Sequence, residues 1–145
     1  MLFKKILLIH GPNLNVLGKR DPSHYGTLTL SELESKVADQ AANAGYLLNW
    51  FQSNHEGALI DWIQRKSKGA LGVLINPGAL THSSYALHDA LLDSGLPCVE
   101  VHLSDIHGRE PWRAISVTAP ACLKQFYGKQ EKSYEEALDF LLTKL

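Results

Sequence analysis

Apolar and polar positions along this chain follow two rhythms that alternate from one end to the other. A short apolar run at 5–9 (KILLI) is stopped by His10, Gly11 and Pro12, which predicts a strand. From Thr29 the spacing widens, and Leu30, Leu33, Val37, Ala41 and Ala44 fall on one helical face. Thr29 and Glu32 form a capping box for that helix, and Gly45 closes it. Residues 46–52 (YLLNWFQ) read as the second strand, followed by the polar loop SNHEG. Leu59, Ile60 and Ile63 face inward on a helix over 58–68 that stops at Gly69. LGVLI (71–75) predicts strand three, with NPGALTHSS as its exit loop, and a helix over 83–94 ends at Gly95. CVEVHL (98–103) is strand four. The segment 114–127 carries a weaker fifth strand. Ser133 and Glu136 make a second capping box, opening a last helix with Ala137, Leu138, Leu141, Leu142 and Leu145 inward. There is no repeat, linker or low-complexity tract.

Alternating strands and helices in one domain predict an α/β fold with a parallel sheet covered on both faces. Right-handed crossovers leave few topologies, and five strands point to a flavodoxin-like doubly wound order in a single domain over 1–145. Such sheets place ligands beyond the carboxyl ends of their strands. The exits of strands one, three and four hold Asn13, Asn15, Arg20 and Tyr25, then Asn76, His82 and Ser83, then His102, Ser104, His107, Arg109 and Arg113. The helix-to-strand turns hold mostly glycine and small residues, so the polar chemistry gathers at one rim.

Bulk properties narrow the classes of function. The 145 residues make one domain that buries roughly 70% of the surface its unfolded chain exposes. Lys and Arg (14) nearly balance Asp and Glu (15), which marks neither a nucleic-acid nor an anionic-membrane binder. The apolar runs are too short to span a bilayer. The N-terminal MLFKKILLIHG has no small-residue cleavage site and passes directly into His and Gly, so it reads as a strand and not as a signal peptide. Cys98 and Cys122 lie in apolar surroundings without CxxC spacing, as buried thiols of a reducing compartment do. The expected location is the cytoplasm.

Several chemistries fit the rim poorly. Asn13 and Asn15 after Gly-Pro read equally well as turn residues, and His82 and Ser83 as caps of the third helix, Ser83 in particular. Seven histidines invite a metal, but His82/His88 and His102/His107 lack ligand spacing and no carboxylate cluster accompanies them, so no metal is expected. GPNLNVLG has neither of the glycine patterns that cradle phosphates. A signalling receiver needs acidic residues where this chain has His10, and there is no nucleophile elbow for Ser-His-Asp hydrolysis.

Tyr25 is left to explain. A phenol titrates ordinarily near pH 10, so a tyrosine base at neutral pH needs its anion favoured by several kcal/mol, at about 1.36 kcal/mol per unit. A guanidinium close by in a water-poor site does this, and Arg20 lies five residues away. Gly18 and Gly26 frame the segment, which allows it to close over a ligand. A surface tyrosine packed on a loop is the plainer alternative for this feature taken alone.

Three stretches carry a resemblance. GPNLNVLGKRDPSHYG (11–26), INPGALTHSSYALHDAL (75–91) and VEVHLSDIHGREPWR (99–113) resemble, in order, the three signatures of type II 3-dehydroquinate dehydratases, the dehydroquinases of the shikimate pathway. The resemblance covers residues 5–113. It implies anti elimination of water from 3-dehydroquinate, without cofactor or metal, in aromatic amino acid biosynthesis. Tyr25 would take the proton from C2 and Arg20 would activate it. Asn13 would steady the enolate, and His102, oriented by Glu100, would protonate the departing C1 hydroxyl. Asn76, His82, Leu103, Ser104 and Arg113 would bind substrate, and Asp89 would reach the site of a neighbouring subunit. The resemblance also implies a homo-oligomer, a dodecamer built from trimers. The other known chemistry for this dehydration uses a Schiff-base lysine in a far larger barrel, which 145 residues cannot form.

After Arg113 the resemblance weakens. The family continues with paired histidines and a glycine-rich apolar strand, whereas this chain reads AISVTAPACLKQFYGKQEKSYEEAL. Lys124, Gln125, Lys129 and Gln130 interrupt the expected buried strand, which bears on the pairing of strand five and on subunit contacts. Asp105 stands where asparagine is common, and Trp112 where phenylalanine is. The alternative from another class is a flavodoxin-like protein that binds a cyclic hydroxy-carboxylate without turnover. Arg20, Tyr25 and His102 together argue against it, because a binder needs neither a base nor an acid.

Overall fold

The computed structural model describes residues 3–145; Met1 and Leu2, the start of the expected N-terminal strand segment, lie outside the described residues. Five strands form one parallel sheet: β1 (Lys5–His10), β2 (Leu47–Gln52), β3 (Gly72–Asn76), β4 (Cys98–Val101) and β5 (Lys124–Phe126). Their spatial order is β2-β1-β3-β4-β5, the flavodoxin-like arrangement expected from the alternating pattern. The helices are α1 (Pro22–Tyr25), α2 (Leu30–Asn43), α3 (Glu56–Lys66), α4 (Tyr85–Asp93) and α5 (Glu131–Leu142).

Burial on both faces explains why the central strands read as apolar runs and not as alternations. Ile6, Leu8, Leu74, Val99 and Val101 pack with Leu33 and Val37 of α2 and Leu138 and Leu141 of α5. Leu7, Ile9, Val73 and Ile75 point the other way, onto Leu59 and Ile63 of α3 and Leu87 and Leu91 of α4. Trp62, which the periodicity did not select, joins this second core and stacks on Phe51 at 5.3 Å.

Local signals set some boundaries and fail at others. Thr29 and Glu32 form the expected capping box, each side chain accepting from the other's backbone N–H. The cap of α4 is Ser84 and not Ser83: Ser84 Oγ accepts from Leu87 N, because Gly78–His82 are already wound into a 3-10 turn. The Ser133–Glu136 box does not form. α5 starts three residues earlier, at Glu131 with Gln130 in the cap position, since Gln130 N is anchored to the Leu103 carbonyl at 3.0 Å. Ser133 Oγ instead accepts from Lys129 N at 2.9 Å. β5 is only three residues long, and 3-10 turns at Pro111–Ala114 and Ala119–Ala121 occupy the stretch before it.

Two exit loops are locked together below the rim. Gly11 N donates to the Asn76 carbonyl at 2.7 Å. A Cβ on Gly11 would fall 2.2 Å from the Pro77 carbonyl oxygen, so only glycine allows this approach.

Candidate active site

A pocket opens at the carboxyl ends of β1, β3 and β4, and its walls come from the polar exit loops of these strands. Asn13, Arg20, Tyr25, Asn76, His82, His102, Leu103, Ser104, Arg109 and Arg113 all line it. Sequence segments up to a hundred residues apart thus meet because parallel strands release their loops on the same side.

One wall is the segment after β1. Asp21 caps α1 by accepting from Ser23 N, Pro22 begins the helix, and Gly26 ends it at φ 73°. This single turn lifts Tyr25 over the pocket. The Arg20 guanidinium lies over the Tyr25 ring, 3.7 Å from its centroid. Arg109, from the loop after β4, donates through Nη1 to the Tyr25 hydroxyl at 2.8 Å and to Ser104 Oγ at 3.3 Å. The expected partner of Tyr25 was Arg20 alone; the structure adds Arg109 on the oxygen itself. Burial lowers the Arg20 guanidinium from its ordinary value; Tyr25 opposes that shift, and Arg109 and Arg113 add to it.

The opposite wall is built on β4. Glu100 and His102 share one face of the strand direction, and His102 Nε2 lies 2.9 Å from Glu100 Oε2. Glu100 is fully buried, so its charge must be met by hydrogen bonds. Thr81 Oγ1 donates at 3.0 Å, Ser116 Oγ at 3.0 Å, Gln125 Nε2 at 2.6 Å, and Thr118 Oγ1 to the other oxygen. Burial alone would raise the carboxyl; the His102 hydrogen bond and charge and the Thr118 and Gln125 donors outweigh it and hold Glu100 at about 2. Gln125, which looks like a fault in an apolar strand, is therefore the donor that a buried carboxylate on the neighbouring strand requires.

The remaining side chains divide by what they already bind. Asn76 reaches the pocket with both ends of its amide engaged: Nδ2 donates to Tyr134 Oη at 2.9 Å and Oδ1 accepts from Gly78 N at 3.0 Å. His82 Nδ1 lies 2.7 Å from the Ile115 carbonyl, and its ring meets Trp112 edge-on at 5.1 Å. Burial pushes His82 below its ordinary value, while the Ile115 carbonyl works against the shift. Asn13 takes a left-handed φ of 70° and its N–H is held by Asn54 Oδ1 at 2.9 Å. Leu103 and Ser104 are buried at the floor, and Arg113 pairs with Glu110 at the mouth. Asp89 is not brought to this pocket: its side chain is 72% exposed on the outer face of α4, beside His88. Arg109, which the sequence places at the rim without a role, is brought onto the Tyr25 oxygen by the fold.

Among the described residues, no three His, Cys, Asp or Glu side chains cluster as a metal-binding group. No helix among them is long and apolar enough to cross a membrane.

Fold and site together define a class: a flavodoxin-like α/β enzyme whose pocket sets a tyrosine among arginines on one wall and a histidine–glutamate pair on the other. The family model described as "Dehydroquinase class II" matches residues 4–142. The chain is 46% identical over 142 residues to a 3-dehydroquinate dehydratase of Actinobacillus pleuropneumoniae, covering 98% of this chain and 92% of that one. It is 50% identical over 138 residues to a 3-dehydroquinate dehydratase of Roseiflexus castenholzii, covering 95% and 88%. A crystal structure of type II dehydroquinase from Butyrivibrio crossotus superposes with a TM-score of 0.92 at 43% identity, covering 97% of this chain and 98% of that one. The chain belongs to the class II dehydroquinase family.

Proposed function

We propose that this protein is a 3-dehydroquinate dehydratase of the shikimate pathway that works with Tyr25 as base and His102 as acid. The observation that carries the reading is the pairing of walls: a phenol oxygen held by a guanidinium faces the same pocket as a histidine backed by a buried carboxylate.

These placements support the following steps. Tyr25 removes the proton at C2, alpha to the ketone, and Arg20 and Arg109 offset the negative charge that the phenol oxygen holds as a base. The electron pair moves into the ketone to form an enolate, which Asn13 steadies through water. The enolate collapses, the C1–oxygen bond breaks, and His102 protonates the leaving hydroxyl as water. Glu100 holds His102 by its Nε2, leaving Nδ1 as the nitrogen for the acid's work. The proton gained by Tyr25 and the one lost by His102 are then exchanged with solvent. The substrate is bound by Asn76, His82, the backbone around Leu103 and Ser104, and Arg113, in a pocket rich in arginine.

The same reading assigns the protein to the cytoplasm as a homo-oligomer, a dodecamer built from trimers, with Asp89 reaching the site of a neighbouring subunit. Tyr85 and Leu92, 70% and 59% exposed on the helix that carries Asp89, give that face the apolar character of a contact surface.

The test is formation of the enone-carboxylate from 3-dehydroquinate, followed by ultraviolet absorbance with chelator present. Wild type is expected to turn over and Tyr25→Phe to lose activity by orders of magnitude while still binding product. A wild type that binds the ligand without turnover would instead support the binding-protein alternative.

A further inference from the structure

Gln130 sits at the turn between β5 and α5 with φ 53° and ψ −132°, a conformation that glycine adopts freely and a side chain does not. Among the described residues the only other non-glycine with positive φ is Asn13, a residue type that tolerates it. Glutamine has no such tolerance, so its side chain needs a reason to be there.

The side chain of Gln130 touches the segment that carries Tyr25. Its Nε2 donates to the carbonyl of Pro22, the first residue of α1, at 3.2 Å. Its Oε1 and Cδ lie 3.3 and 3.5 Å from where a Cβ on Gly26 would be, against the residue that ends α1. Meanwhile its backbone N–H is fixed to Leu103, next to His102, at 3.0 Å. One residue thus spans from the strand end bearing the expected acid to the turn bearing the expected base.

Few other bonds do so. Among the described residues, two hydrogen bonds join residues 19–26 to the chain beyond residue 30: Arg109 to the Tyr25 hydroxyl, and Gln130 to Pro22. The first lies inside the pocket, where a ligand competes for it. Gln130 does not line that pocket; it borders a separate hollow on the outer side of Arg109, with Ser23 and His24. Its bond to Pro22 lies outside the space that a ligand in the pocket would fill.

We propose that Gln130 is a positioning residue, a latch that holds the 19–26 segment over the pocket and so keeps Tyr25 and Arg20 in register with His102. The catalytic consequence rests on the dehydratase reading above; the latch itself does not. A chain selecting only for a stable turn would place glycine at this φ, and the strained glutamine supplies a donor that glycine lacks.

Two variants separate the latch from the turn. Gln130→Gly removes the donor and relieves the backbone, and Gln130→Glu keeps the length but cannot donate to Pro22. Each is compared with wild type by thermal melting, by the rate of limited tryptic cleavage after Lys19 and Arg20, and by kcat/KM for 3-dehydroquinate. Loss of one hydrogen bond is expected to speed cleavage and lower kcat/KM by about threefold to tenfold in both variants. Gln130→Gly is expected to melt at or above the wild-type temperature, which a purely structural role would not allow. Cleavage rates unchanged in both variants would overturn the latch. Faster cleavage with unchanged turnover in an active enzyme would overturn the positioning role. If cleavage accelerates but wild type itself fails to turn over 3-dehydroquinate, the latch stands and the dehydratase reading falls.

Discussion

Arg109 Nη1 donates to the phenolic oxygen of Tyr25 at 2.8 Å, although 84 residues separate them along the chain. Arg20, only five residues away, meets the face of the same ring at 3.7 Å. The two cations hold different parts of one side chain: Arg20 stacks on the ring, whereas Arg109 addresses the atom on which negative charge would rest. Charge-assisted hydrogen bonds are about twice as strong as neutral ones, so the two contacts differ in consequence.

Arg109→Leu is therefore expected to lower kcat by about 10-fold to 100-fold, from the loss of a hydrogen bond to a charged group. Arg109→Lys is expected to recover part of that loss, because it restores charge without the guanidinium's fixed geometry. Steady-state kinetics on the two variants, with circular dichroism to verify the fold, checks this. Equal kcat in wild type and Arg109→Leu would remove Arg109 from the mechanism.

Glu100 predicts a pH dependence of stability. Its carboxyl is held at about 2 in the folded state against an ordinary 4.5, so the folded protein prefers the charged form. A depressed acid contributes stability that is fully present above pH 4.5 and is lost as pH falls toward 2. Glu100→Gln is expected to be less stable than wild type at pH 7, with the gap narrowing as pH drops through that window. Urea midpoints at pH 7, 5 and 3 decide the matter; a gap that stays constant would mean that the carboxylate's charge is not what the network stabilises.

Asp89 separates a role in an assembly from a role in the fold. With its side chain 72% exposed on α4, Asp89→Ala is expected to change stability within about 0.5 kcal/mol. Activity is nevertheless expected to fall if a neighbouring subunit's site uses this carboxylate. Sedimentation velocity on wild type is expected to show a species far larger than 16.0 kDa. A monomer of full activity would contradict both the assembly and the role of Asp89.

How much of this was legible beforehand depends on how local each cause is. The Thr29–Glu32 box formed because both partners lie within one helical turn. The Ser133–Glu136 box has the same spacing, yet α5 starts at Glu131, because the Leu103 carbonyl captures Gln130 N from another loop. Gln125 looked like an interruption for the same reason: its partner, Glu100, is on the adjacent strand and 25 residues away. Asn76 lines the pocket, and no spacing could show that its amide is also bonded to Tyr134 and Gly78.

The sequence by itself determined the strand–helix alternation, the parallel order that follows from right-handed crossovers, and the gathering of polar residues at one rim. Those follow from periodicity and chain handedness, which act over a few residues at a time. Tertiary structure alone decided which guanidinium reaches the Tyr25 oxygen, which donors satisfy Glu100, and why a glutamine stands in a glycine conformation at position 130. Each of these is a contact between segments distant in sequence, and its geometry exists only once the sheet has brought their loops to the same edge.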